Sequence, residues 1–357
     1  MPTVLALADL ELPTADAEIW RYSRIAELDL TAFEIQPGFR EVTGDESFVT
    51  LDAEADETIA TPDVFAEYNA DHQRTVDITV PANTAVSEPI VIEHRADSGS
   101  AVFPRTVIRL GAHASCTVIE RFRSADDAAS LVVPMLAVDA GPGSSVTYLA
   151  VNDLNESSWQ IGHQLIAAGR DSSVRLSTIT LGGHYTRVRT EATSKETGSE
   201  IEQVALYFAG GDQMHDFRVI QNHVAEHTSS DLLFKGAVQD RARSVYTGMI
   251  AIEEAAKGTS ANQTNRNLTL SEGAWAESVP NLDIRNNDVR CSHASTVGPI
   301  DEEHRYYLES RGVPPEVAER LVVLGFFDEV LNRLPDSDIV DEVRERVARK
   351  LSIGVTS

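Results

Sequence analysis

From about residue 75 the chain alternates short apolar runs with small or polar turns. The segments 75–80, 89–94, 101–110, 115–122 and 131–140 each carry five to ten residues rich in Val, Ile, Leu and Thr, separated by Pro, Gly, Asn or Ser. Runs of that length and composition predict β-strands rather than helices. A frame also recurs. Gly111, Gly141 and Gly169 each open two variable residues, two small residues and a strand start, with a looser copy at Gly198 and a similar strand approach at Asp240. Turn-then-strand at a fixed period marks a solenoid, in which each coil buries its face only by stacking on the next. The predicted fold is mainly β, a right-handed parallel β-helix. An antiparallel sandwich fits less well, because its hairpins favour Asn-Gly or Asp-Gly turns, and neither dipeptide occurs.

The ends have a different texture. Ile19, Tyr22, Ile25, Ala26 and Leu28 recur at helical spacing, which predicts a helix over 16–28 with Trp20 packed on the main body. No firm elements are assigned over 38–70. After residue 300 the pattern is helical. Asp301 is placed to cap a helix that ends at Arg311-Gly312. Pro314-Pro315 opens a second helix with an apolar stripe of Val317, Leu321, Leu324, Phe327, Leu331 and Leu334, and a third runs over about 339–351. The expected organisation is a partly helical N-terminal region (1–75), a parallel β-helix core (76–299) and a C-terminal helical domain (300–357) that caps the last coil or docks a partner. Asn262, Asn265, Asn267, Asn281, Asn286 and Asn287 are expected at coil corners, where asparagine tolerates tight turns.

Composition narrows the function. With 56 acidic against 30 basic residues the formal charge is −26, which repels phosphate backbones and anionic lipid, so nucleic-acid and membrane-surface roles are disfavoured. No window approaches the roughly 18 apolar residues of a membrane span. The N-terminus lacks the basic region and apolar core of a secretory signal, so the expected location is cytoplasmic. Two cysteines, Cys116 and Cys291, give neither a disulfide framework nor a four-thiolate cluster from this chain alone.

Within 231–300 stands the most chemically capable pair, Cys291 and His293. At i and i+2 on a strand they point to one side, where a thiolate and an imidazole can share iron while leaving a tetrahedral ion half filled. His215, His223 and His227 are a second possible ligand set, more readily read as polar coil residues, and Cys116 reads as a small core residue. Asp212, Asp216, Asp231 and Asp240 are the carboxylates of a remote alternative, a polysaccharide-cleaving β-helix enzyme. No phosphate loop is present, so ATP hydrolysis is not expected of this chain.

Several motifs in sequence order carry a family resemblance: Phe234-Lys235-Gly236, Tyr246-Thr247-Gly248, Asn262-Gln263-Thr264-Asn265, Val279-Pro280-Asn281-Leu282, 291–298 and 307–312. Together they resemble the SufB/SufD family of iron–sulfur cluster assembly proteins, from about residue 70 to 335, and Glu18, Trp20, Arg21 and Tyr22 are similar to the SufD branch. The resemblance implies a non-catalytic scaffold that pairs with SufB through the β-helix and with the ATPase SufC through the C-terminal helices. Tyr307, Arg311, Gly312, Leu324, Phe326 and Phe327 are then candidate contacts. It further implies that His293, with Cys291 nearby, takes part in a transient Fe–S cluster or iron site shared with SufB, with no tightly bound cofactor in the isolated chain. A SufB-type or self-pairing scaffold, including a homodimer when alone, is the alternative within the family.

Overall fold

In the computed structural model, which describes residues 6–354 apart from Ala55, the chain winds into a parallel β-solenoid of about eight coils. Each coil gives one strand to each of two sheets. The first sheet runs from Arg74–Val80 through Trp159–Ala168 to Trp275–Ile284, and the second from Ile90–Ala96 through Ser145–Asp153 to Arg290–Gly298.

The recurring glycines are explained by contact between coils. Gly111, Gly141 and Gly169 each donate an amide hydrogen bond of 2.9 Å to the last strand residue of the coil before, Val80, Leu110 and Ala140. A Cβ at Gly141 would lie 2.4 Å from the Leu110 carbonyl oxygen, and one at Gly169 2.7 Å from that of Ala140. Two residues on, the corner takes a left-handed backbone, at His113 (φ 57°), Gly143 (φ 64°) and Asp171 (φ 51°). Gly198 (φ 79°) occupies this left-handed slot, so it is two places out of the expected frame. Asp240 belongs to the opposite corner, before a strand of the first sheet. The asparagines also depart from expectation. Only Asn286 and Asn287 lie in a turn, whereas Asn262, Asn265, Asn267 and Asn281 lie within strands.

The solenoid interior changes character along its axis. The early coils are filled by one apolar cluster that includes Val76, Ile78, Ile108, Val118, Val138 and Leu176. Later coils place Gln203, Gln221, Gln263, Asn265 and Asn267 inside. The Tyr207 hydroxyl donates to Asn267 Oδ1 (2.7 Å) and accepts from Asn265 Nδ2 (2.9 Å), satisfying groups that burial would otherwise strand.

The predicted helix over 16–28 is absent. Two single 3-10 turns, Glu18–Trp20 and Ile25–Glu27, flank Tyr22, whose φ of 66° is incompatible with a helix. The carbonyls a helix would use internally are taken by the solenoid: Arg187 donates to Ile19 O and Arg218 to Arg21 O. Trp20 is buried, its ring 4.0 Å from the Arg187 guanidinium carbon. The unassigned 38–70 region contains strands Phe39–Thr43 and Val49–Leu51 and a helix, α1 (Val64–His72), capped by Asp63, which accepts from the Phe65 and Ala66 amides. Those two strands pair antiparallel with the first coil and close that end of both sheets.

The C-terminal helices are α2 (Glu302–Ser310), α3 (Pro315–Leu331) and α4 (Ser337–Gly354). Asp301 caps α2 through the Glu303 amide, and Gly312 takes φ 84° just beyond it, as the pattern predicts. α3 and α4 do not cap the last coil. They lie along the outer face of the second sheet, where Val323, Phe327, Val330, Ile339, Val343 and Val347 pack on Ile119, Leu149, Val204, Leu206, Phe208 and Leu233. The buried stripe of α3 keeps the predicted Phe327 and Leu331 but is otherwise shifted onto Ala318, Val323 and Val330, and Leu321 is 46% exposed. The last strand of each sheet is left without a strand beyond it among the described residues.

Candidate functional site

The last coil bears the site. Strand Arg290–Gly298 stacks in parallel on Ser260–Thr269, setting Cys291 over Ala261, His293 over Gln263, Ser295 over Asn265 and Val297 over Asn267. All four lower residues are buried inside the solenoid, so the alternation of a strand turns Cys291 and His293 toward the same interior axis. Ser292 points outward and its hydroxyl donates to Asn262 Oδ1 at 2.8 Å. With no further coil above them, these inward positions meet the surroundings. His293 is exposed and has no hydrogen-bond partner among the described residues. Cys291 is half-buried against the cluster of Ile250, Ile252, Ala256 and Ala261, and burial pushes its thiol above the usual range.

The pair can offer a metal two donors, one soft and one borderline. Among the described residues no group of three or more His, Cys, Asp or Glu side chains is arranged to hold a metal ion. Two donors fit an iron or Fe–S cargo only if sulfide, solvent or another chain supplies the rest. The surroundings are suited to such completion. Ile284 and Val297 are both 43% exposed on the same open rung, inward positions with no coil to cover them.

The other histidines are dispersed. His215 is fully buried, its Nε2 donating to Gly182 O at 3.2 Å, and desolvation together with nearby Lys350 lowers its pKa to about 3. His223 is buried between Thr228 Oγ1 (2.8 Å) and Ser230 Oγ (2.9 Å), and desolvation lowers it to about 4. His227 is exposed at a left-handed corner (φ 56°). Cys116 is buried in the core, where desolvation raises its thiol to about 12.

The carboxylates of the enzyme alternative do not converge. Asp212 pairs with Arg24 (2.9 Å), Asp231 with Arg333 (2.7 Å), and Asp240 accepts from the Gly211 amide (2.8 Å). Asp216 is fully buried and accepts from Tyr185 OH (2.7 Å), Arg187 (2.7 Å) and Arg218 Nε (2.6 Å). Burial opposes its ionisation, but the two guanidiniums prevail and hold it below the usual carboxylate range. That cluster ties down the N-terminal strap.

Of the candidate partner contacts, Tyr307 is 59% exposed with Arg311 stacked on its ring at 5.3 Å, and Gly312 is exposed beside them. Leu324 and Phe326 are partly covered, with Lys235 Nζ 4.8 Å from the Phe326 ring centre. Phe327 is fully buried against the sheet, so its side chain anchors α3 and is not a surface contact. Sequence reasoning missed that Gln263, Asn265 and Asn267 are buried on the inward face beneath His293, Ser295 and Val297. The signal was their polar alternation along one face of a strand.

The family model for the SUF system FeS cluster assembly SufBD core domain matches residues 92–326. An iron–sulfur cluster assembly SufBD family protein of Mycobacterium leprae is 33% identical over 291 residues, covering 79% of this chain and 70% of that one. The iron–sulfur cluster assembly protein SufD of Bacillus subtilis is 31% identical over 278 residues, covering 76% and 63%. The SufD of Escherichia coli is 26% identical over 287 residues, covering 79% and 68%.

Proposed function

The chain belongs to the SufBD family of iron–sulfur cluster assembly proteins and is SufD-like, and from that premise we propose that it is a non-catalytic scaffold subunit holding half of a cluster-building site. The observation that carries this reading is the position of Cys291 and His293, facing the solenoid axis on a rung with no further strand over it among the described residues. A second solenoid, of SufB type, pairs along the open strands and brings the missing ligands, while iron and sulfide are cargo. An unpaired edge with exposed apolar side chains favours such an addition.

α2 to α4 dock the ATPase SufC. α3, α4 and the turn between them are tied to the sheet that ends in Cys291 and His293: Lys235 Nζ donates to Phe326 O (2.9 Å) and pairs with Glu329 (2.6 Å), Arg333 with Asp231 (2.7 Å), and Arg121 with Glu342 (2.7 Å). Nucleotide-driven movement of SufC subunits is thereby passed to the scaffold interface and opens it to iron and sulfide. The open rung also admits a second copy of this chain, so a self-pairing scaffold is the competing reading.

Co-expression with SufB and SufC separates the two. Recovery of this chain with both supports the heteromeric scaffold, and a chain that pairs only with itself overturns it. Within the complex, His293→Ala is expected to preserve assembly and to lower cluster yield several-fold. An unchanged yield removes His293 from the mechanism.

A further inference from the structure

The chain has four lysines, Lys195, Lys235, Lys257 and Lys350. Lys195 is exposed, Lys235 pairs with Glu329 (2.6 Å) and Lys257 with Asp288 (3.6 Å). Lys350, near the end of α4, has no carboxylate in ion-pair reach among the described residues. Its Nζ donates instead to the neutral Gln213 Oε1 at 2.6 Å and stands 6.0 Å from the Phe208 ring centre, while Gln239 Nε2 donates to its carbonyl at 3.0 Å. We propose that Lys350 is a carbamate site, whose amine adds carbon dioxide reversibly and carries the product into the cavity that it lines.

That cavity, of about 500 Å³, is open and lies between the end of α4 and the neighbouring coil corners. Arg346 and Arg349 share its wall with Lys350. Arg346 pairs with Asp153, whereas Arg349 has no carboxylate partner among the described residues. Desolvation is the main cause that lowers the Lys350 amine to about 8; Arg346 adds to it, and Glu156 and Asp240 oppose it. His215, buried nearby and held to about 3, stays neutral. At pH 7.5 about a quarter of Lys350 is then free amine, against about one part in a thousand for an ordinary lysine. A desolvated lysine beside another cation is the form that acts as a nucleophile. Its lone pair attacks the carbon of carbon dioxide, a C–N bond forms, one C=O π pair moves onto oxygen, and one N–H proton leaves to solvent. The N–H that remains can keep its bond to Gln213 Oε1, and the new carboxylate enters a wall that holds two guanidiniums. Asp126, Asp127 and Glu156 on the same wall favour a neutral reagent over an anionic acyl donor.

The test incubates the folded full-length chain at pH 7.5 with 13C-bicarbonate as the source of carbon dioxide. Carbamates are trapped by O-ethylation with triethyloxonium and located by peptide mass mapping, which separates Lys350 from the other lysines and from the terminal amine. The expected result is an adduct on Lys350 several-fold above that on Lys195, falling to the Lys195 level when the chain is trapped in denaturant. A 13C carbamate resonance should be present in the native chain and lost in Lys350→Arg. The native-chain map stands whether or not that variant folds. No adduct on Lys350, equal adducts on Lys350 and Lys195, or a Lys350 adduct that denaturant leaves undiminished overturns the proposal.

Discussion

Cys116 and Cys291 stand on one inward-facing column of the solenoid, joined rung by rung through Val146, Val174, Ile201, Ser230 and Ala261. The two thiols differ only in what lies beyond them. Cys116 is 5% exposed inside the core, whereas Cys291 is on the rung where the column stops. Brief iodoacetamide treatment of the folded chain should add one label, at Cys291 by peptide mass mapping. Cys116, with its thiol near 12, should react only in denaturant, because the thiolate is the attacking form. Comparable labelling of both cysteines in the folded chain would contradict this column.

Acid should destabilise the late coils through His215 and His223. Their folded pKa values are lowered to about 3 and about 4, below the unfolded value near 6.5. Between those limits the unfolded chain binds more protons, so stability rises with pH there and is lost as pH falls below about 6.5. At pH 5 each site should have lost about 2 kcal/mol relative to pH 8. Urea titrations at the two pH values check it, with His223→Gln expected to flatten the slope. A slope unchanged by that substitution assigns the acid response elsewhere.

The parts of the fold legible in the sequence are those set by local contacts repeated from coil to coil. Gly111, Gly141 and Gly169 announced the solenoid because each meets the backbone of the coil before it, with no room for a Cβ. Asp301 and Gly312 were legible because a cap is written within a few residues. The strap at 16–28 was misread because its helical spacing was countered by Arg187 and Arg218, which reach its carbonyls from 168 and 197 residues away. The buried face of α3 was set by its docking on the second sheet, so Val323 and Val330 went inside with the expected Phe327 and Leu331, and Leu321 did not. Cys291 and His293 could be singled out by chemistry alone. That two donors leave a tetrahedral ion half filled was legible too; that their rung is the last of the stack became visible only in the fold, and Asn265 and Asn267 looked like corner residues because asparagine suits tight turns.

Asp216 holds that strap. Replacing it by Asn leaves Arg187 and Arg218 buried without their carboxylate, a change of the kind that costs about 3–5 kcal/mol. Arg187 and Arg218 also bind the carbonyls of Ile19 and Arg21, so the loss should appear locally as well. Asp216→Asn is expected to lower the melting temperature and to speed proteolytic cleavage within 13–28. Native cleavage rates together with native stability would show that the strap is held by its apolar contacts.

The open rung makes a sharper demand on the scaffold reading. Ile284 and Val297 occupy interior columns, above Ile252 and Asn267, but each is 43% exposed because the stack ends there. Lysines at both positions would place two charges where a neighbouring solenoid has to pack, and a buried unpaired charge there is strongly unfavourable. In the isolated chain the long stems can carry those charges into water, so stability should change by no more than about 0.5 kcal/mol per site. Ile284→Lys with Val297→Lys is therefore expected to leave the melting curve of the chain alone almost unchanged, while abolishing co-purification with SufB and any self-pairing seen by light scattering. SufC binding should persist, since α3 and α4 lie on the outer face of the second sheet and not on this rung. Retained pairing in the double variant would move the scaffold interface away from the end of the solenoid, and with it the reason for Cys291 and His293 to face that way.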